Sequence, residues 1–388
     1  MLSRNRAHIK LPKSKYIEME IVNFMIQYYI NNTQYSREHV QNLNWQDYLL
    51  KAYQKKPLKL YKYFPNIEKD GRNYSIEALK NNTVFLQSPI LFDDPYDSTI
   101  SIDENTLALK RLYYYAKLCN FSVNSNKDYG TALYEFALYL YNKVQEGNSL
   151  ETIFRLNTDN KRTNRINSLF VLRLENSLLK KPNVNDSWQQ AFFSALHEEY
   201  NDMQEILLKK FRVSCFTTTP YSMLMWSHYA NYHKGFCIEY EFSDDIKKYE
   251  KILSNILPVI YSNERKNVLN ACLQYLENET ISEEVVWDIY KYGLLTKSLD
   301  WRYQNEWRLI SLDSSITDSK YNCDFFPITK VYLGNRMEPN ERTKLIKICQ
   351  AQNIPYRGIV TKKDRYQMCD CQISCENCDW LNKAVPVY

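Results

Sequence analysis

Seven glycines among 388 residues leave little material for loops that cradle phosphate with bare backbone. The chain has no Gly-x-x-x-x-Gly-Lys-Ser/Thr loop, no Gly-x-Gly-x-x-Gly turn, no Gly-x-Ser-x-Gly elbow and no His-Glu-x-x-His pair. Kinase, Rossmann dehydrogenase, α/β-hydrolase and zincin chemistries therefore lack their signatures. Long apolar runs are missing too, none approaching the roughly 18 residues of a membrane span. The N-terminus lacks the basic, apolar, small-residue order of a secretory leader. A cytoplasmic protein without membrane contact is the expectation. Charge of one sign is also lacking: 50 Lys+Arg against 45 Asp+Glu give +5, too little to argue for a nucleic-acid binder by charge alone. Most of the 10 cysteines stand singly, at Cys119, Cys215, Cys237, Cys272, Cys323 and Cys349, as reduced and buried thiols do.

What the chain has in quantity is aromatic mass, with 33 Tyr and 16 Phe inside a hydrophobic fraction of 44%. Many of these side chains carry a hydroxyl that seeks a partner when buried. Residues 1–56 read as a helical lead-in, because Ile21, Phe24, Met25, Tyr28 and Tyr29, then Trp45, Tyr48, Leu49 and Tyr53, recur at helical spacing. Lys55-Lys56-Pro57 ends that pattern. Strand, helix and strand follow up to Gln87, and then a loop with two prolines and three acids, Asp93, Asp94 and Asp97. Residues 103–210 read as a helical insertion, strands return over 211–362, and 363–388 form a Cys-rich tail. The fold class is α+β, with the core divided between 57–102 and 211–362.

Three segments hold the candidate chemistry. In Trp301-Arg302-Tyr303-Gln304-Asn305-Glu306-Trp307-Arg308-Leu309-Ile310, strand alternation puts Gln304, Glu306 and Arg308 on one face. A carboxylate at a strand edge can bond a sugar hydroxyl and stabilise positive charge on an anomeric carbon; the plainer reading pairs Glu306 with Arg308 on a sheet surface. The second segment, residues 222–235, sets His228 and His233 among Trp226, Tyr229 and Tyr232. It suits acid-base work beside a planar ligand, or is simply the packed face of a short helix. In the third, Lys62 points opposite to Tyr61 and Tyr63, as a phosphate contact or a solvated edge residue. Asp93, Asp94 and Asp97 are metal ligands or a self-capped turn. Cys369, Cys371, Cys375 and Cys378 suffice in number for a structural zinc, although their spacing is tighter than a zinc ribbon's; an unligated tail is the alternative.

Five collinear stretches resemble a bacterial family catalogued as domain of unknown function 2971: Leu60-Tyr61-Lys62-Tyr63; Val84 to Asp97 with Phe-Asp-Asp-Pro-Tyr-Asp; Met225-Trp226-Ser227-His228-Tyr229-Ala230 through Ile238; Tyr303 to Ile310; and Val331-Tyr332-Leu333-Gly334. The family pattern usually has Asn at Asp93 or Asp94 and commonly Glu at Gln304 or Asn305. More remotely, the arrangement resembles the ADP-ribosyltransferase fold, which implies a split mixed or antiparallel β core and NAD as substrate. On that resemblance Glu306 and Gln304 are catalytic together with His228 and Tyr229, and Lys62, Tyr63, Thr217, Trp226 and Arg308 contact the dinucleotide. Lys62 departs from the usual Arg or His. The acceptor implied is a protein side chain, a nucleic-acid base or water, and the biological role that of a toxin or phage-defence effector in abortive infection. Competing expectations are a metal-dependent nuclease built on Asp94, Asp97 and Glu306, and a non-enzymatic interaction module in which Trp226, His228 and Glu306 are structural.

Overall fold

The computed structural model describes residues 27–371 apart from 55, 155–166, 173, 175–186, 210, 243–248, 250–251, 254, 278–281 and 313–319. The described chain opens with β1 (Tyr28–Ile30) and β2 (Thr33–Tyr35), then α1 (Arg37–Gln41) and α2 (Trp45–Gln54). Tyr28 and Tyr29, expected on a helix, are thus in a strand. The reason is the turn that follows: Asn31 and Asn32 both take positive φ, 49° and 61°, as a two-residue hairpin requires and asparagine tolerates.

Next come β3 (Lys59–Phe64), α3 (Tyr74–Asn81) and β4 (Thr83–Gln87), then the helices α4 (Glu104–Leu118), α5 (Tyr129–Gln145), α6 (Leu150–Ile153) and α7 (Ser187–Leu208). Asp103 and Asp128 cap α4 and α5 by accepting the backbone N–H of Thr106 and Thr131. These helices bury a cluster of their own around Leu112, Tyr115, Phe136, Phe154 and Phe192. Within it the Arg111–Glu199 ion pair is almost wholly buried.

The chain then forms β5 (Phe211–Thr217), α8 (Met223–Tyr229), β6 (Phe236–Glu241), β7 (Ile256–Pro258), β8 (Ile260–Ser262), α9 (Leu269–Glu277), α10 (Glu283–Gly293) and β9 (Thr296–Ser298). It closes with β10 (Glu306–Leu312), β11 (Lys320–Asp324), β12 (Ile328–Leu333), α11 (Pro339–Ala351), β13 (Tyr356–Thr361) and β14 (Met368–Asp370). Met368–Asp370, expected in the tail, extends the sheet by pairing antiparallel with β13. The result is a mixed α+β protein with open sheets. Among the described residues no helix is long and apolar enough to cross a membrane.

A small sheet runs β2-β1-β8-β9, and a larger one β11-β4-β5-β3-β6-β12-β13-β14, with β10 and then β7 on the far side of β5. One edge of β5 pairs with β10 over its whole length, from Thr217 opposite Glu306 to Phe211 opposite Leu312. Its other edge is shared: Val213 bridges to Gln87 of β4 and Thr217 to Tyr61 of β3. Between those two bridges β3 and β4 diverge, and residues 214–216 have no strand beside them on that edge. This fork positions everything functional that follows.

Strand alternation assigns the two faces. Leu60, Ile238, Phe216, Trp307 and Leu309 point into the main core with Ala78 and Leu79 of α3 and Leu345 and Ile346 of α11. Burying such a side chain stabilises the fold by about 1.5–3 kcal/mol. Tyr61, Thr217, Cys215, Glu306 and Arg308 point the other way, since Thr217 is opposite both Tyr61 and Glu306.

Candidate functional site

A cleft of about 420 Å³ opens over the fork, within the usual size of small-molecule sites. Residues 214–216 form its floor and Tyr61, Lys62 and Tyr63 one wall, while Met225, His228 and Tyr229 of α8 overhang it. The acidic loop with Asp93, Asp94 and Asp97, and the group Lys297, Trp301, Gln304 and Glu306, close the remaining sides. The three segments singled out in the sequence therefore meet in one cavity.

Lys62 belongs to an interior strand, flanked by β5 and β6, and is not a solvated edge residue. Its stem runs into the fork, where Nζ donates to Ser214 Oγ at 2.9 Å and to the Cys215 carbonyl at 3.0 Å. The ammonium satisfies a carbonyl that the divergence of β3 and β4 leaves without a strand partner. The Phe216 ring lies 5.2 Å away. Burial lowers the pKa of Lys62, and the negative charge of Glu306 is among the influences opposing that shift.

Glu306 is buried and stands between two cations. Oε1 accepts from Arg308 Nε at 2.6 Å and Oε2 from Lys297 Nζ at 3.0 Å. The same two cations hold Asp97, whose Oδ2 is 2.7 Å from Arg308 and 3.0 Å from Lys297. The four form a buried quartet whose charges sum to zero. Burial alone would raise the Glu306 carboxyl, but Arg308 and Lys297 outweigh it and hold it well below the usual carboxylate range. For Lys297, burial pulls down, yet Glu306 and Asp97 prevail and hold the ammonium charged. Burial together with the Glu306 charge pushes the neighbouring Cys215 thiol up to about 12, so it stays protonated.

Two expectations about this segment need correction. Glu306 is not at a strand edge, because β10 lies between β5 and β7. Gln304 is not on the strand: Leu299–Gln304 is a 3-10 helix, and Asn305, at φ 44°, turns the chain into β10. A left-handed residue breaks the alternation, so Gln304 reaches the site by another route. Its Oε1 accepts from Lys297 at 2.9 Å and its Nε2 donates to the Tyr229 hydroxyl at 2.6 Å.

The other expected residues divide into those in the cleft and those behind it. His228 is at the exposed rim, its ring 6.3 Å from Tyr303 and 6.4 Å from Tyr229. Tyr63 lines the cleft and donates to the Thr219 carbonyl at 3.1 Å. Trp226, Thr217 and Arg308 lie outside the lining. Trp226 is fully buried, donating to the Pro220 carbonyl at 2.7 Å, with its ring set edge-on to Tyr63. Thr217 is enclosed between Tyr61 and Glu306. Arg308 acts from behind, through Glu306 and Asp97.

Asp94 caps its own turn, its Oδ1 accepting the Tyr96 N–H at 2.9 Å. Asp97 serves the quartet. Among the described residues no group of three His, Cys, Asp or Glu side chains converges as a metal site. Cys369 and Cys371 are in no disulfide among the described residues, and Cys375 and Cys378 lie outside the described residues. Lys297 and the quartet role of Asp97 have no signal in the sequence pattern. Nothing marks Lys297 among 50 basic residues except its place in a three-residue strand.

Comparison with curated proteins and with solved structures finds no match. Residues 225–309, which contain His228, Tyr229, Lys297, Gln304 and Glu306 and end within β10, match the family described as protein of unknown function (DUF2971).

Proposed function

We propose that the chain is an ADP-ribosyltransferase-like enzyme that cleaves the bond between nicotinamide and ribose in NAD and passes ADP-ribose to a macromolecule or to water. The observation that carries this reading is the meeting in one cleft of a fixed, ionised carboxylate, Glu306, with Gln304, Tyr229 and the fork-held Lys62. Each Glu306 oxygen accepts one cation hydrogen bond, which leaves lone pairs for a ribose hydroxyl.

In this mechanism the C1–N glycosidic bond breaks and nicotinamide leaves with the bonding electron pair. The ribose carries the resulting positive charge, which Glu306 stabilises from a site already paid for in desolvation. A nucleophile of the acceptor then bonds to C1 and loses its proton to solvent or to a base at the rim, where His228 stands. Lys62 offers a donor to a phosphate, and Tyr61, Tyr63 and Trp301 supply flat surface. Cytosolic action as a toxin or phage-defence effector belongs to the same proposal.

A nuclease reading is less favoured by this geometry. Asp97 and Glu306 already share Lys297 and Arg308, and a divalent ion would have to compete with both.

The test is release of nicotinamide from NAD by the purified protein, alone and with cell extract, for wild type and Glu306→Gln. Release by the wild type, reduced at least about 100-fold in the variant, is expected. Absence of release under all conditions, or a variant as active as wild type, overturns the reading.

A further inference from the structure

The orientation of one amide defines what the cleft can recognise. An ammonium group has hydrogens to give and no lone pair to accept with, so the Gln304 atom 2.9 Å from Lys297 Nζ is the carbonyl oxygen. The amide nitrogen is thereby directed to Tyr229, and an amide N–H only donates. The Tyr229 oxygen, 2.6 Å from Gln304 Nε2, is therefore the acceptor of that bond, and its own hydrogen is left over. Tyr229 lines the cleft, is 39% exposed, and makes no other hydrogen bond among the described residues. Burial raises its pKa, which keeps the hydroxyl protonated.

We propose that Lys297 sets the hydrogen-bond polarity of the cleft: acting through Gln304, it makes the Tyr229 hydroxyl a dedicated donor, so the bound ligand places an acceptor such as a carboxamide oxygen there. Lys297 and Gln304 are positioning residues, and Tyr229 is the group that touches the ligand. The inference rests on the NAD reading in taking a carbonyl-bearing ligand to enter this cleft. It goes further in naming which atom of the ligand is read, and by which hydrogen. On this inference glutamate is not equivalent to glutamine at position 304. A carboxylate in place of the Gln304 amide would accept from both Lys297 and Tyr229, and so consume the hydrogen the ligand needs.

The experiment measures binding of two neutral probes of the same shape, nicotinamide and 3-isopropenylpyridine, which replaces the carboxamide by a group without a carbonyl. Wild type, Y229F, Q304E, K297R and K297M are compared by calorimetry, with melting curves to identify folded variants. Wild type is expected to prefer nicotinamide by about tenfold, the size of one neutral hydrogen bond. The preference is expected to vanish in Y229F and Q304E and to survive in K297R, which still donates to Gln304. If K297M or Q304E, each of which unbalances the charge around the buried quartet, does not fold, Y229F decides, since among the described residues Tyr229 is bonded to Gln304 and to no member of the quartet. Equal binding of the two probes by wild type, or a full preference in Y229F or Q304E, overturns the inference. Preference without nicotinamide release from NAD retains the donor assignment and removes the enzyme reading. Release with equal probe binding does the reverse.

Discussion

Replacing Glu306 by glutamine keeps the side-chain shape but leaves Lys297 and Arg308 facing Asp97 alone, so the buried quartet carries an uncompensated positive charge. Removing one partner of a buried, hydrogen-bonded ion pair costs about 3–5 kcal/mol. At about 2–4 °C of melting temperature per kcal/mol for chains somewhat shorter than this one, a loss on the order of 10 °C follows. A Glu306 at a strand edge, or paired with Arg308 on a sheet surface, as the sequence pattern alone suggests, would leave the melting temperature almost unchanged. Adding Lys297→Met restores neutrality, and the double variant should recover part of the loss, with a coupling energy of about 0.5–3 kcal/mol.

The pH dependence has a definite sign. The folded carboxyl of Glu306 titrates well below its ordinary value of 4.5, so the unfolded chain takes up the proton first as acid is added. Its contribution to stability is complete above about pH 4.5 and declines as pH falls through the folded value. The gap between wild type and Glu306→Gln should accordingly be constant near neutrality and narrow below pH 4.5. Calorimetry or fluorescence melts between pH 3.5 and 7.5, on about equal protein concentrations, measure this directly. A variant melting within about 2 °C of wild type, or a gap that does not change with acid, refutes the coupled quartet.

Three further outcomes are expected. Lys62→Met should raise the KM for NAD about tenfold or more, since a charge-assisted hydrogen bond is worth about 1.5–3 kcal/mol; steady-state nicotinamide release checks this, and an unchanged KM counts against a ligand role. Gly235→Ala should destabilise by at least about 2 kcal/mol in urea melts, because its Cβ would stand 2.0 Å from the Phe64 carbonyl oxygen, a backbone atom that cannot swing aside. Arg111→Met should cost about 3–5 kcal/mol by leaving Glu199 buried without its cation; because the pair lies in the helical cluster away from the cleft, probe binding measured well below the melting temperature should stay at the wild-type level.

The short strands on either side of the helical stretch were legible because β-branched and aromatic residues alternate between turn signals. Alternation also places Glu306 and Arg308 on one face and Lys62 opposite Tyr61 and Tyr63. It failed at two places where a positive φ intervened. Asn31 and Asn32 place Tyr28 and Tyr29, expected on a helix, in a hairpin, whereas Ile21, Phe24 and Met25 lie outside the described residues, and Asn305 converts the first half of an expected strand into a 3-10 turn. Asparagine signals such turns only weakly, since it is also an ordinary polar residue. Trp226 shows a different limit: its place beside His228 suggested a ligand contact, but the helix face it occupies is turned into the core.

By itself, the sequence determined what depends on neighbours within a few residues: which segments are helix or strand, which side chains share a face, and that the chain carries aromatic mass enough to bury. Tertiary structure alone decided that β3 and β4 diverge along β5, that a lysine from a separate small sheet reaches Glu306, and that Asp97 completes a neutral quartet. Those outcomes depend on which distant groups lose water together. Desolvation and charge pairing act through space, over separations along the chain of roughly 200 residues between Asp97 and Glu306, and no local pattern encodes them.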